Sequence, residues 1–495
     1  MKKIIALLLL MLFVSNNTVI ANIIPKIELG NLVIEDEYPS SDLVEPIVPI
    51  EENNMTIEGG VEATPNVVEV QNSFALEDCL RIALGNNPRI QSAMQDIFAS
   101  DARVRQAWSN YFPQLSWQTG YTRIKQLQLS DAIGRNLIFN YFVLGQITAS
   151  QMLYDFGVTQ NEVTIKKIDN KIYKMNLSEV INDVVYQVKD AYFKLLYAQE
   201  SANVAKDMVA KYTLFYNQAK SYYEAGISPK VDVTIAEVNL SSSKLQLIQA
   251  ENALDVAKAR LNNVMGVPFC DEYVLADKLR YDAMDITLNG AVDIAREARP
   301  EYKMAELRVE SALQTLKLAK KAWAPQITLE GQYQIGGRTF TNNYGYNFGA
   351  YLNFPTFNAM LLKHAIREAK ALHNKQLAEA INTKNNLYLD IQQAYYNFNE
   401  KRSQIPVATL GIKQAKENYE LSFGRYKVGV GSPTELKEAQ VAYRNSMLSY
   451  YDSLYQYNSA VAYLEKSVGK NLNPNAVQLD KEIYLDKDKK KKKNK

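Results

Sequence analysis

Two hydrophobic patterns take turns along this chain of 495 residues. In the first, which begins near Leu115 and again near Ile327, apolar and polar residues alternate with the two-residue period of a β-strand. In the second, apolar residues follow the 3.6-residue period of a helix, most clearly between Val158 and Ala225, where proline and glycine are absent. At 1.5 Å per residue that helix spans roughly 100 Å. The sequence therefore predicts long strands combined with unusually long helices.

The same order of elements occurs twice. Asn87-Pro88 and Arg299-Pro300 stand 212 positions apart, whereas Gly226 and Gly429 stand 203 positions apart. Each half contains a hairpin and a long helix flanked by shorter helical stretches, and the change in spacing indicates a shorter hairpin region in the second half. The chain is thus predicted to be built from two internal repeats.

The repeats have sequence segments of different character on either side. An apolar run after Lys2 and Lys3 predicts a signal peptide, and prolines and many acidic residues follow it. Pro406 lies within the second long helix and predicts a bend near Ile405. The predicted segments are: signal peptide 1–21; acidic extension 22–72; repeat 1, 73–270 (a helix, hairpin about 114–154, long helix 158–225, helix 229–265); linker 271–287; repeat 2, 288–472 (a helix, hairpin about 326–357, long helix 358–426, helix 433–468); lysine-rich tail 473–495.

Each predicted hairpin has one apolar face, one polar face and strands of ten or more residues. Such strands fit a membrane crossing around a wet lumen, although a soluble antiparallel sheet with one wet face has the same period. Four strands cannot close a membrane barrel, because such barrels begin at eight strands and an open edge in lipid leaves backbone groups unpaired. We therefore expect oligomers, and three copies give the smaller barrel with room for a channel.

The composition argues against several classes of protein. A formal net charge of +2 lacks the basic footprint of a nucleic-acid binder. Two histidines, His364 and His373, and two cysteines, Cys79 and Cys270, cannot supply a zinc or iron–sulfur site, and we expect neither a metal, nor a cofactor, nor enzyme activity. The pattern leaves open whether Cys79 and Cys270 form a disulfide. After the signal peptide, no run of 18 apolar residues predicts a membrane helix.

Three motifs carry a resemblance to a known family. Phe112-Pro113-Gln114-Leu115, Leu153-Tyr154-Asp155-Phe156-Gly157 and Tyr426-Lys427-Val428-Gly429 stand within a duplicated plan that resembles the TolC family of outer-membrane efflux proteins over about residues 73–472. The resemblance implies an α+β membrane protein, a homotrimeric 12-stranded β-barrel with four strands per chain, continuous with a long α-helical barrel.

The resemblance also implies a location and a task. The barrel would lie in the outer membrane of a Gram-negative bacterium, in contact with its lipid, with the helical part in the periplasm. The chain would be the exit duct of a tripartite multidrug export or type I secretion system. Its partners would be a periplasmic membrane-fusion (adaptor) protein and an inner-membrane efflux or ABC-type pump. The alternative is an extracytoplasmic coiled-coil scaffold or adhesin without a pore.

Two corners between helices are the candidate functional site. In each, glycine is predicted to stop a helix, serine to cap the next and proline to begin it. The resemblance implies that the turns Gly226-Ile227-Ser228 and Gly429-Val430-Gly431 contact the adaptor, and that Asp232, Tyr426, Glu435 and Glu438 constrict the periplasmic mouth. Glu435 also fits a capping box with Ser432, and Asp232 also suits a helix N-terminus. Gly431 looks like an extra residue, placed where the family's best-known member has an arginine.

Overall fold

The computed structural model describes residues 73–126, 137–268, 273–337, 343–355 and 358–472. The predicted signal peptide, acidic extension and lysine-rich tail lie outside the described residues, as does Cys270. Cys79 is buried. The question of a disulfide between these two cysteines therefore also falls outside the described part of the chain.

The described elements follow one order twice, which confirms the two-repeat plan. Repeat 1 contains β1 (Ser73–Phe74), α1 (Leu76–Asn86), α2 (Pro88–Ser109), β2 (Gln114–Gln126), β3 (Leu137–Tyr154), α3 (Val158–Glu224) and α4 (Lys230–Met265). Then come β4 (Val274–Leu275), α5 (Leu288–Ala298), α6 (Pro300–Lys321), β5 (Gln326–Gly337), β6 (Tyr344–Asn353), α7 (Ala359–Lys427) and α8 (Pro433–Val468). The short strand β1 pairs in parallel with β4.

The four long strands form one antiparallel sheet in the order β2-β3-β5-β6. The two hairpins are therefore joined by the pairing of β3 with β5, which belong to different repeats. Within the described residues, the outer edges of β2 and β6 have no strand beside them.

The register separates an apolar face of this sheet from a polar face, because side chains on paired residues point the same way. One row across the four strands is Trp117, Ile147, Tyr333 and Tyr346; the adjacent row is Ser116, Thr148, Gln332 and Asn347. The residues of the apolar row are exposed or half-buried in a single chain. In these two rows the alternation expected from the sequence continues from β2 to β6, whereas the register shifts in β2 and β3 interrupt it elsewhere.

Each repeat has its own helical core. In repeat 1, α1, α3 and α4 meet around the fully buried Tyr192 and Leu261. In repeat 2, α5, α7 and α8 meet around Ile391 and Leu464. Leu261 and Leu464 are 203 positions apart, so the two cores follow the sequence duplication. Burial of such side chains contributes about 1.5–3 kcal/mol each.

The long helices continue where the sequence predicted helix, and α7 runs through Pro406 without interruption. The Thr409 hydroxyl donates to the carbonyl of Ile405, 2.8 Å away, one turn before it. The bend expected near Ile405 stays a prediction. None of the helices in the described part of the chain is apolar enough over 18 residues to span a membrane.

Candidate functional site at the helix turns

The turns that end α3 and α7 have the same backbone geometry. Gly226 has a φ of +73° and Gly429 a φ of +81°, the left-handed conformation that glycine adopts without strain. The amide of the next residue donates back to the last helical turn, from Ile227 to Tyr222 (2.9 Å) and from Val430 to Arg425 (3.1 Å). Together with the glycine amide bonds, this is the Schellman pattern that closes a helix end.

Two details predicted for these turns are wrong. Ser228 does not cap α4, because that helix begins at Lys230 with Pro229 in the cap position. Gly431 is not an extra residue, because α4 and α8 begin 203 positions apart, as do the two turn glycines. Ser228 and Gly431 are equivalent. The amide of Ser228 donates to the Tyr222 carbonyl, as that of Ile227 does, and the amide of Gly431 donates to the Arg425 carbonyl, as that of Val430 does. From the sequence, the two turns can be aligned either by their glycines, 203 positions apart, or by their serine-proline pairs, 204 positions apart. Only the first residue of the following helix decides between these alignments.

The first turn of α8 makes polar contacts at the corner between α7 and α8. The Ser432 hydroxyl accepts a hydrogen bond from the Glu435 amide at 3.1 Å, which is one half of the predicted capping box. The Glu435 side chain instead lies 3.3 Å from Nε of Arg425. Because both side chains are well exposed, this ion pair contributes at most about 1 kcal/mol in a single chain. Glu435 therefore links the two helices beside the turn.

Tyr426 is buried at the point where four helices meet. Its side chain is 6% exposed and packs with Phe215 of α3, Ala236 of α4 and Leu436 of α8. The rings of Tyr426 and Phe215 are 5.1 Å apart. Burial, reinforced by the negative charge of Asp232 and by Tyr222, raises the pKa of Tyr426 above its usual value. The tyrosine thus joins the ends of the two repeats.

The acidic residues at this end differ in their surroundings. Asp232 occupies the third position of α4, equivalent to Glu435 in α8, and its charge acts on Tyr426. Glu438 is exposed, one turn after Glu435. In the part of the chain that the structure describes, the side chains of Asp232 and Glu438 form neither an ion pair nor a hydrogen bond. The structure therefore brings Asp232, Tyr426 and Glu435 to one end of the helices, with Glu438 beside them.

Sequence reasoning missed a direct link between the two turns. The hydroxyl of Tyr222 donates to the carbonyl of Lys427 at 3.1 Å and accepts from the Gln218 amide at 2.9 Å. Tyr222 stands four residues before Gly226, as Arg425 does before Gly429. This equivalent position is the feature of the sequence that could have indicated a role for Tyr222 at the turn. The bond joins the end of α3 to the end of α7.

Among the described residues, no group of three or more histidine, cysteine or acidic side chains is placed to bind a metal ion.

Comparison with known proteins gives one consistent result. Residues 79–267 and 291–470 match the family described as outer membrane efflux protein, once in each repeat. Toxin and drug export protein A of Aggregatibacter actinomycetemcomitans is 21% identical over 385 residues, which cover 75% of this chain and 81% of that protein. Outer membrane protein TolC of Vibrio cholerae is 20% identical over 396 residues, covering 78% and 88%.

A solved structure shares the fold. The CmeC outer membrane channel of Campylobacter jejuni is similar with a TM-score of 0.71 at 18% identity, covering 90% of this chain and 97% of that one. The two-faced sheet and the duplicated helices thus have the architecture of an outer-membrane channel. The chain belongs to the outer membrane efflux protein family. It is an export channel of the outer membrane with its helical part in the periplasm, and its relatives are channels rather than enzymes.

Proposed function

We propose that three copies of this chain form the exit duct of a tripartite export system, with the helix turns as its periplasmic mouth. The observation that carries the proposal is a sheet with one apolar face, one polar face and, among the described strands, two edges without a neighbour. Because β6 runs antiparallel to β2, the β6 edge of one copy can pair with the β2 edge of the next. Three sheets joined in this way give twelve antiparallel strands around a polar lumen.

Exposed apolar residues on the helices support the same assembly. Val231, Val238 and Leu245 recur every seven residues along α4, and all three are exposed in a single chain. Leu389, Tyr396 and Leu410 lie on the same seven-residue spacing along α7, with Ser403 at the position between the last two. Stripes with a seven-residue period pack against a second helix. A neighbouring copy would cover them and continue the sheet contact into the helical barrel.

The mouth would be closed by Asp232, Tyr426, Glu435 and Glu438 of each copy. Three copies bring their carboxylates into one ring, which favours cations. Tyr426 holds the second-repeat helices against the first, and we infer that outward movement of those helices separates these contacts. Opening requires no chemistry by the chain itself, so conduction is passive.

The tips of the turns fit a periplasmic adaptor. Ile227 is 73% exposed and Val430 is 69% exposed, which places apolar side chains at the extreme end of the helices. With Gly226, Ser228, Gly429 and Gly431 they form the surface that we assign to the membrane-fusion protein. An inner-membrane efflux or ABC-type pump would complete the system. The relative from Aggregatibacter is named for toxin and drug export, which suggests toxins and drugs as the classes of cargo.

Single-channel conductance in planar bilayers tests the mouth. We compare the native protein with Asp232→Ala/Glu438→Ala and with a control, Asp255→Ala/Glu310→Ala, which removes two exposed carboxylates far from the turns. Small cation-selective currents that grow and lose selectivity only in the first variant support the proposal. Equal currents in all three proteins would show that the constriction lies away from the turns. If the native protein failed to insert into the bilayer, the proposal that it forms a duct would be contradicted.

A further inference from the structure

Aromatic side chains concentrate where the helices meet the sheet. We call this group the junction belt; its members are exposed and lie within a few residues of a strand end: Trp108, Phe112, Phe156, Trp323 and Phe354. Aromatic residues prefer the boundary between lipid and water, where one side of the ring is apolar and the other is wet. If the sheet crosses the membrane, the junction belt marks the headgroup level of the periplasmic leaflet.

The helix turns next to this belt carry an excess of positive charge. We call these residues the basic collar: Arg103, Arg105, Lys317, Lys320, Lys321 and Lys363. Over the same turns the acidic residues are Asp101, which pairs with Arg105 at 3.1 Å, Asp155 and Glu162, so six cations against three carboxylates leave three net positive charges per chain. Asp155 is committed to the backbone, because its carboxylate accepts from the amides of Gly157 and Thr159 at 2.9 and 2.6 Å.

Three of the six collar residues have no ion-pair or hydrogen-bond partner in the described part of the chain. Lys317, Lys320 and Lys363 are exposed, and within the described residues none of them forms an ion pair or a side-chain hydrogen bond. Farther from the sheet, some lysines pair with carboxylates, as in Lys375–Glu379 and Lys384–Glu306. Three exposed cations beside the belt are therefore available to an anionic group outside the chain.

Helix stability does not explain this placement by itself. Lys320 and Lys321 end α6, where a cation is favoured by the helix dipole. Lys363, however, lies near the start of α7, where the dipole offers a cation no gain. Lys167 is engaged with the belt itself, since its Nζ lies 5.3 Å from the Trp108 ring centroid. Cations that flank an aromatic belt attract anionic headgroups at the membrane surface.

We propose that the basic collar binds anionic phospholipid headgroups of the periplasmic leaflet and so fixes the depth of the channel in the membrane. This inference rests on the proposed function, because it requires the sheet to span the outer membrane. The junction belt sets the level, and the unpaired lysines directly beyond it meet the lipid phosphates. Phosphatidylglycerol, with its net negative charge, should therefore be enriched around the protein relative to phosphatidylethanolamine.

The native tryptophans provide the readout. The chain has three, of which Trp108 and Trp323 belong to the belt and Trp117 lies on the apolar face of the sheet. The full chain is reconstituted into vesicles of phosphatidylethanolamine with phosphatidylglycerol as the minor component. Either lipid carries brominated chains, which quench tryptophan fluorescence on contact. The variant Lys317→Gln/Lys320→Gln/Lys363→Gln is compared with Lys244→Gln/Lys303→Gln/Lys413→Gln, which neutralises three exposed lysines far from the belt.

We expect brominated phosphatidylglycerol to quench the native protein and the control variant beyond its share of the lipid. In the collar variant this preference should fall by about fivefold for each cation that contributes fully. Equal quenching by the two lipids in the native protein, or a preference that survives in the collar variant, would overturn the proposal. Conductance of the same preparations separates this result from the proposed function, since an intact channel without lipid preference refutes the collar alone.

Discussion

Gly429 shows how one backbone angle determines a functional turn. Its φ of +81° lies where any side chain other than hydrogen is strained, and the hydrogen bonds from Val430 and Gly431 to Arg425 depend on it. Gly424, five residues earlier, lies inside α7 with nothing near the place that a Cβ would take. The same substitution therefore has opposite physical consequences at the two positions.

We predict that Gly429→Ala destabilises the turn by about 1 kcal/mol, whereas Gly424→Ala stabilises the helix by up to about 1 kcal/mol. Hydrogen exchange of the Val430 and Gly431 amides measures this locally and should become faster only in Gly429→Ala. Similar exchange in the two variants would mean that the turn is not held by the left-handed glycine.

A second residue-scale prediction concerns the buried ion pair between the repeats. Nζ of Lys189 lies 2.6 Å from Oε2 of Glu465, and the two side chains are 11% and 8% exposed. Lys189→Met leaves a buried carboxylate without its cation and should reduce the free energy of unfolding by about 3–5 kcal/mol. Lys189→Met/Glu465→Leu removes both charges and should recover most of that loss.

Denaturant unfolding of the detergent-solubilised protein measures both variants of this pair. Lys375→Met, which breaks an exposed pair with Glu379, serves as the control and should change stability by less than about 1 kcal/mol. If the double variant were as unstable as the single one, lost packing rather than the unpaired charge would be the cause.

At the scale of elements, Asp183 ties three helices from both repeats together. Its carboxylate on α3 lies 2.7 Å from Arg89 of α2 and 2.7 Å from Lys466 of α8. Burial alone would raise the pKa of Asp183, but the hydrogen bonds and positive charges of Lys466 and Arg89 lower it below its usual value. The contact is therefore stronger when the carboxylate is ionised.

We predict the direction of the pH dependence from this shift. Because the pKa is lowered in the folded chain, the stabilisation is complete above the ordinary aspartate value of about 4 and is lost as the pH falls through the lower folded value. Thermal unfolding followed between neutral and acidic pH should show Asp183→Asn less stable than the native protein at neutral pH, with the gap closing in acid. Asp255→Asn, at an exposed site on α4, should leave the profile unchanged; a gap that persists in acid would contradict the charge-based explanation.

The elements also show what the sequence could predict about the mouth. Glycine, serine and proline signal the turns because they act within a few residues, through a left-handed φ and a local cap. The bonds from Tyr222 to Lys427 and from Arg425 to Glu435 depend on which helices pack side by side. The roles of Asp232 and Glu438 in a constriction stay a prediction.

At the scale of the whole molecule, the edge of β6 decides between a closed barrel and an isolated sheet. The amide of Gly336 donates to the carbonyl of Asn343 at 2.8 Å. In an antiparallel ladder, the backbone N–H and C=O groups of Asn343 and of every second residue after it therefore point towards β5. Ala350 belongs to the alternate set, whose amides point away from β5 towards the open edge. A proline at position 350 has no backbone N–H to donate. It therefore costs an inter-strand hydrogen bond only if another strand pairs with that edge.

We therefore predict that Ala350→Pro prevents the formation of a heat-modifiable trimer in outer-membrane extracts, whereas Ala350→Gly retains it. Gel migration with and without heating measures the assembly, and helical circular dichroism checks that each chain has folded. A stable trimer of Ala350→Pro would show that β6 is not an interface between copies.

The sequence by itself determined the duplication, the two-faced strands, the helix lengths and the turn glycines. Each of these depends on a short-range period or on a single backbone angle, which neighbouring residues specify. Only the tertiary structure decided that β3 pairs with β5, that Tyr426 is buried among four helices and that α4 begins one residue after Pro229. Those features join residues up to hundreds of positions apart or choose between nearly equal local alternatives, so packing and hydrogen bonding across the fold determine them.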